Sequence, residues 1–258
     1  MQDPPRREVL DSFGVTGPPK LLEGGEGRSW RAGDLVLKPC DDVVEWTWLG
    51  ECLPKVDQEG FRLAFPVRAQ DNRWVVDGWS AQAAVVGART ERWSEVLEVG
   101  RRLNGSLAPF GRPAFIDHRT HPWSVGDSVA WEEADPPRDH PLLERLSAIR
   151  APVDLPSQVI HGDLTENVLF ADHLPPAVID VTPYWRPSGY SLAIVAADAI
   201  QWFGADPFEL LAGCADLEAF PQLFVRAVIF RLVTTLVFGH RDVADLEKVV
   251  GVAERLAG

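Results

Sequence analysis

The stretch His161-Gly162-Asp163-Leu164-Thr165-Glu166-Asn167-Val168-Leu169-Phe170, followed by Ala177-Val178-Ile179-Asp180, decides how this chain is read. Two short apolar runs, 168–170 and 177–179, read as the strands of a hairpin, with 172–176 as its turn. Asp163 and Asn167 precede the first strand and Asp180 follows the second. Hairpin strands run antiparallel, so all three positions fall at the same end of it. A carboxylate base and two hard oxygen ligands gathered there are the set that Mg2+ and a triphosphate require.

Upstream, the texture is β-rich. Leu35-Val36-Leu37 is a strand-like run ending at Lys38, after a stretch with glycines at 24, 25, 27 and 33. Pro39 ends the ladder because it offers no amide hydrogen. Val44, Trp48, Leu49 and Cys52 then fall at helical spacing, with Asp41 and Asp42 as caps and Pro54 as the stop. FRLAFPVRA and RWVVDGWSAQAAVVG read as strands, and Asp77-Gly78 as a tight turn. Residues 1–19, rich in Pro, Gly and charge, read as a loosely packed lead-in. After Gly87 the pattern becomes helical, with an amphipathic helix at WSEVLEVGRRLNGSL, an irregular region over 110–141, a helix at PLLERLSAIR and a mainly helical tail from Leu192. The expected fold class is therefore α+β in two lobes. Residues 1–87 form a small antiparallel β lobe with one helix, and residues 88–258 a larger, mainly α lobe. Clefts between two such lobes are common ligand sites.

Composition bounds the function. The chain has 258 residues, 46% of them apolar and 24% charged, the balance of a globular domain. With 38 acidic against 25 basic residues the formal net charge is −13, which argues against a nucleic-acid partner, since phosphate backbones are held by clustered Lys and Arg. Three cysteines without paired spacing give neither a disulfide framework nor a zinc signature, and a reducing cytoplasm is the simplest setting. The N-terminal MQDPPRREVLDSFG lacks the apolar run of a signal peptide. The late segment PQLFVRAVIFRLVTTLVFGH carries Arg226 and Arg231 and reads as a buried core helix, not a membrane span.

HGDLTENVLF followed by VID resembles the catalytic core of the aminoglycoside phosphotransferase-like kinases, relatives of the protein kinases. GWSAQAAVVG resembles the family's strand leading into the interlobe hinge, and PPAVIDVTPYWRP resembles an actinobacterial branch of that family. The resemblance spans residues 20–200 and is densest at 161–180. It implies a protein-kinase-like fold and an ATP- and Mg2+-dependent transfer of the γ-phosphoryl group to a hydroxyl of a small molecule. Asp163 would orient the acceptor hydroxyl and take its proton, with His161 and Gly162 shaping the catalytic loop. Asn167 and Asp180 would hold Mg2+. Lys38 would contact the α- and β-phosphates and be fixed by Glu45, with Glu51 on the same helix as the competitor. Gly24, Gly25 and Gly27 would cover the phosphates, unless they form a plain hairpin turn. Ala83 and Val85, in the segment from Gln82, would offer backbone hydrogen bonds to adenine. Glu166, Tyr184, Trp185 and Arg186 are the candidates for the acceptor site, the last three competing with simple aromatic packing and a surface Arg.

The sequence departs from the family pattern twice. Asn lies five residues beyond the Asp in that pattern, whereas Asn167 lies four beyond Asp163, so the loop is one residue short, with Glu166 where a small residue is usual and as a potential further oxygen ligand. Ser191-Leu192-Ala193 stands where the family has Asp-Leu-Ala, and Asp198 is the nearby carboxylate. The short loop keeps a second reading open, a catalytically inert kinase-like protein that binds a nucleotide or a partner. A metal-dependent hydrolase lacks the His-rich cluster that it would need. The acceptor, whether an aminoglycoside, an amino sugar, a choline-like amine or another hydroxyl compound, is not specified by the sequence.

Overall fold

The structure, a computed structural model, describes residues 3–23, 27–239, 243 and 246–258. The chain forms two compact units, Met1–Ala88 with Leu169–Asp180, and Arg89–Val168 with Val181–Gly258.

The first unit is built on a five-stranded antiparallel sheet. Its strands are β1 (Lys20–Leu21), β2 (Trp30–Ala32), β3 (Leu35–Pro39), β5 (Val75–Val76) and β6 (Trp79–Ala83), in the order β1-β2-β3-β6-β5. The Asp77-Gly78 turn has both residues at positive φ, 47° and 77°, the twist that a two-residue hairpin needs. Alternation sorts the faces. Leu37, Trp79 and Ala81 point to a core closed by Val9, Leu10 and Phe13. Those three residues belong to, or directly follow, a helix α1 (Arg7–Ser12). Within the lead-in expected to be loose at 1–19, Arg7–Ser12 thus form a packed helix, because Val9, Leu10 and Phe13 place one apolar stripe on the sheet. Truncating Leu10 to Ala should cost about 2–5 kcal/mol in urea unfolding, a cavity-sized loss that a loose segment would not show.

Helix α2 (Val43–Cys52) follows β3, and the Asp42 carboxylate caps it by accepting from the Val44 and Glu45 amides. The hairpin of the opening stretch is β8 (Val168–Ala171) and β9 (Leu174–Val178). Its turn is the Asp172-His173 pair, with His173 at φ 61°, tighter than the expected 172–176. Pro175 and Pro176 lie on β9 itself. Strand β4 (Arg62–Leu63) pairs with β9 in parallel, Arg62 opposite Ala177, and draws residues 169–180 into the first unit.

The second unit is mainly helical. It holds α3 (Trp93–Leu107), α4 (Pro122–Ala130), α5 (Pro141–Ile149), α6 (Ser188–Trp202), α7 (Pro207–Ala212), α8 (Phe220–Phe238) and α9 (Glu247–Ala257). Helix α4 lies inside the region expected to be irregular. Its first turn is capped by His121, whose Nδ1 accepts from the Ser124 amide. Helices α6 and α8 are buried nearly all round, which explains their mainly apolar sequences. Helix α8 is long and apolar enough to cross a membrane, but 83% of that segment is buried within the protein. A two-stranded antiparallel ribbon, β7 (Gln158–His161) with β10 (Pro183–Arg186), aligns His161 with Pro183 and Ile160 with Tyr184.

Candidate active site

In the first unit Lys38 and Gln82 sit around one carboxylate, that of Asp180. Strands β3 and β6 pair with Lys38 opposite Ser80 and Val36 opposite Gln82, so Lys38 and Gln82 project from the same face. Both reach Asp180, which follows β9. Lys38 Nζ forms an ion pair with Asp180 Oδ2, and Gln82 Nε2 donates to Oδ1 at 3.0 Å. Asp180 has φ 53°, a conformation that is uncommon outside glycine and that clusters at functional sites. Glu45, the expected partner of Lys38, lies in the first turn of α2, and the carboxylate paired with Lys38 is Asp180.

Gly27 has φ 69° with open space where a Cβ would stand, while Gly24 and Gly25 lie outside the described residues. At the end of β6 the Ala83 amide donates to the Phe65 carbonyl and the Ala84 amide to Asp34, each at 2.8 Å. Ala83 can therefore serve an adenine ring only through its carbonyl. Val85, two residues on, is half-buried.

In the second unit the loop after β7 is held from several sides. His161 is wholly buried, and its Nδ1 accepts from the Asp163 amide at 3.2 Å and the Thr182 amide at 3.4 Å. A ring with no exposed surface braces the loop and cannot touch a substrate. Ser191 Oγ donates to the His161 carbonyl at 2.8 Å, so this serine ties down the loop from the position where the family has Asp. Gly162 donates its amide to Thr182, and a Cβ there would lie 2.2 Å from the Tyr184 ring. Only glycine allows the loop to pass that ring.

The shortened loop closes as a tight turn. Asn167 donates its backbone amide to the Leu164 carbonyl at 3.0 Å and its side-chain Nδ2 to the Asp163 carbonyl at 2.5 Å. The Asp163 side chain is 52% exposed; Oδ1 accepts from Arg231 Nη2 at 3.2 Å, and Oδ2 lies 3.4 Å from Asn167 Nδ2. Glu166 is exposed, and its backbone carbonyl accepts from Arg89 at 2.8 Å.

Behind Asp163 lies a buried polar relay. Arg231 of α8 donates through Nε and Nη2 to both oxygens of Asp198 on α6, at 2.7 and 2.5 Å. Thr165 Oγ1 of the loop donates to Asp198 Oδ2 at 2.6 Å. Burial pushes the Asp198 carboxyl above its usual range, against the pull of Arg231 and Thr165. Burial likewise works against the charge on Arg231, but the carboxylates of Asp198 and Asp163 outweigh it, and its pKa lies above the ordinary value. The sequence shows Arg231 as a charge in an apolar helix and Asp198 as a carboxylate that can substitute structurally for the family's Asp. Those two exceptions in otherwise apolar helices were the available signal.

The acceptor candidates separate. Tyr184 is buried, its ring packed over Gly162. Arg186 is committed to Asp127 at 2.7 Å and Glu133 at 2.6 Å, an internal ion-pair cluster instead of a surface Arg. Trp185 is half-buried on β10.

The donor chemistry fits a hard divalent cation. In the first unit Asp180 offers a carboxylate, and in the second Asn167, with Nδ2 turned to the Asp163 carbonyl, offers its amide oxygen; each by itself is a hard oxygen donor.

No family model matches the chain, and no curated protein is similar to it in sequence. Solved structures are similar to it in fold. The spectinomycin phosphotransferase APH(9)-Ia, in complex with ADP and spectinomycin, aligns over 96% of each chain with 12% identity and a TM-score of 0.60. A thermostable mutant of the aminoglycoside phosphotransferase APH(4)-Ia, with ADP and hygromycin B, aligns over 97% of each chain at 14% identity and a TM-score of 0.59. The macrolide 2'-phosphotransferase MphH from Brachybacterium faecium aligns over 95% of each at 16% identity and a TM-score of 0.52. The chain thus has the kinase-like fold of the aminoglycoside and macrolide phosphotransferases, an α+β fold with a small antiparallel β unit and a larger helical one.

Proposed function

We propose that this protein is a small-molecule kinase that transfers the γ-phosphoryl group of ATP to a hydroxyl of an organic acceptor. The observation that carries the reading is the state of Asp163. An inert relative would have this carboxylate turned into the core, whereas here it is half exposed and braced by Arg231. The shortened loop is compensated by the Asn167 turn and by the Thr165–Asp198 contact.

In this reading Asp163 orients the acceptor hydroxyl and takes its proton as the new O–P bond forms and the bond from the γ-phosphorus to the bridging oxygen breaks, releasing ADP. Lys38 leaves Asp180 for the α- and β-phosphates. Asp180 and Asn167 would hold Mg2+, which supplies charge neutralisation on the phosphates when bound. Gly27 covers the phosphates. The Ala83 carbonyl and the Val85 amide face the adenine edge. Glu166 and Trp185 stay candidates for acceptor contact. The relatives solved with spectinomycin and hygromycin B make hydroxyl-bearing amino sugars and cyclitols the first acceptors to try, and the net charge of −13 is compatible with a cation.

Two measurements test this. ATP or GTP with Mg2+ should raise the melting temperature of the wild type, since a ligand bound only by the folded state adds stability, and Lys38→Ala should reduce that shift. A panel of aminoglycosides, amino sugars, choline-like amines and macrolides should then reveal acceptor-dependent ADP release. No melting shift with either nucleotide at millimolar concentration would remove the reading.

A further inference from the structure

The Gln82 side chain is a feature that neither the resemblance nor the proposed chemistry assigns. It is 4% exposed and sits two residues from Ser80 on β6, on the face it shares with Lys38. A buried amide requires partners, and its Nε2 donates to Asp180 Oδ1 at 3.0 Å. Lys38 takes the other oxygen, Oδ2. The two donors come from adjacent paired strands, so the sheet fixes their spacing. Asp180, at φ 53°, comes just after β9 ends. The two donors hold one carboxylate oxygen each.

The two donors differ in one respect that matters. Lys38 is charged and on a flexible stem, and phosphates compete for it. Gln82 is neutral and buried, and phosphates do not draw it away. We infer that Gln82 is the positioning residue for the metal-binding carboxylate: it anchors Asp180 Oδ1 when Lys38 moves to the nucleotide, leaving Oδ2 presented in a fixed direction. This inference rests on the kinase reading and deepens it. A neutral donor suits the task, because a second cation at Oδ1 would compete with Mg2+ and a carboxylate would repel Asp180. Partners of this kind, hydrogen-bonded to a metal-ligating carboxylate, change metal affinity by about 10–100-fold when removed.

The test is a binding measurement and needs no acceptor. ATP affinity is measured by calorimetry in Mg2+ and in EDTA for the wild type, Gln82→Leu and Gln82→Met. The unbranched Met keeps the length of Gln and guards against a packing defect in the Leu variant. The expected result is a fall of about tenfold or more in the ratio of the Mg2+ to the EDTA affinity, with the EDTA affinity within about twofold of wild type. Lys38→Ala should do the reverse and weaken ATP in both media. An unchanged ratio in a folded variant overturns the inference while leaving the kinase reading intact. So does an equal loss in both media, which would mean a general packing role. A wild type that binds no nucleotide in either medium overturns the kinase reading and this inference with it.

Discussion

Asp163→Asn lowers phosphoryl transfer by about 10²-fold or more and leaves nucleotide binding near the wild-type value. The substitution is nearly isosteric. The amide oxygen can still accept from Arg231, so the loop keeps its support, and the exposed half of the group has little to lose in stability. What disappears is the capacity to take a proton from an acceptor hydroxyl and the charge that orients it. Nucleotide contacts, assigned to Lys38 and Asp180, are untouched. Calorimetry with ATP and Mg2+, alongside ADP release with an acceptor found by the panel, separates the two effects. A variant that transfers phosphoryl within about threefold of wild type would show that Asp163 plays no part in proton transfer.

Much of this arrangement was legible in the sequence because local patterns encode it. The Asp77-Gly78 hairpin and the Asp42 cap are decisions made within a few residues and were read where the structure has them, whereas the strand expected to end at Lys38 runs on through Pro39, which pairs with Trp79. The unexpected features depend on contacts between distant positions or on composition that misleads. Helix α1 hides in a segment whose prolines and charges outweigh three apolar residues, and only the sheet beneath it makes those residues a core. Pro175 and Pro176 read as turn residues, yet they sit on β9, where Arg62 donates to the Pro175 carbonyl and no proline N–H is needed. Gln82 and Asp180 meet across 98 residues, and nothing near either one announces the other. Arg231 offers one irregularity in an apolar helix, without its partner. Sequence periodicity reveals that such a charge is buried, not what it holds.

Arg231→Met should be among the most destabilising single changes in the second unit, costing about 3–5 kcal/mol in urea unfolding. Arg231 and Asp198 are both buried, at 5% and 0% exposure, and face each other through two hydrogen bonds. Removing the guanidinium leaves a carboxylate in the core with Thr165 as its remaining donor among the contacts described above. Burial already holds that carboxyl above its usual range, and without Arg231 it rises further. The sign of the resulting pH dependence follows by linkage. A carboxyl whose folded pKa exceeds its unfolded value binds its proton more tightly in the folded state. Stability therefore falls as pH rises from the ordinary carboxyl range to the raised value, and acidification across that window restores part of it. The wild type, with Arg231 in place, should show a smaller change over the same window. Replacing both partners, as Arg231→Met with Asp198→Leu, removes the stranded charge and should recover most of the loss, since apolar substitutes for a whole buried pair are often neutral. That double variant also removes the Thr165 contact, so it reports on the contact to Asp163 only where the loop is intact. If its loop is intact but transfer remains low, Arg231 acts on catalysis through the 3.2 Å contact to the Asp163 carboxylate and not through stability alone. If the single variant unfolds within about 1 kcal/mol of wild type, the relay is not what holds the short loop in place.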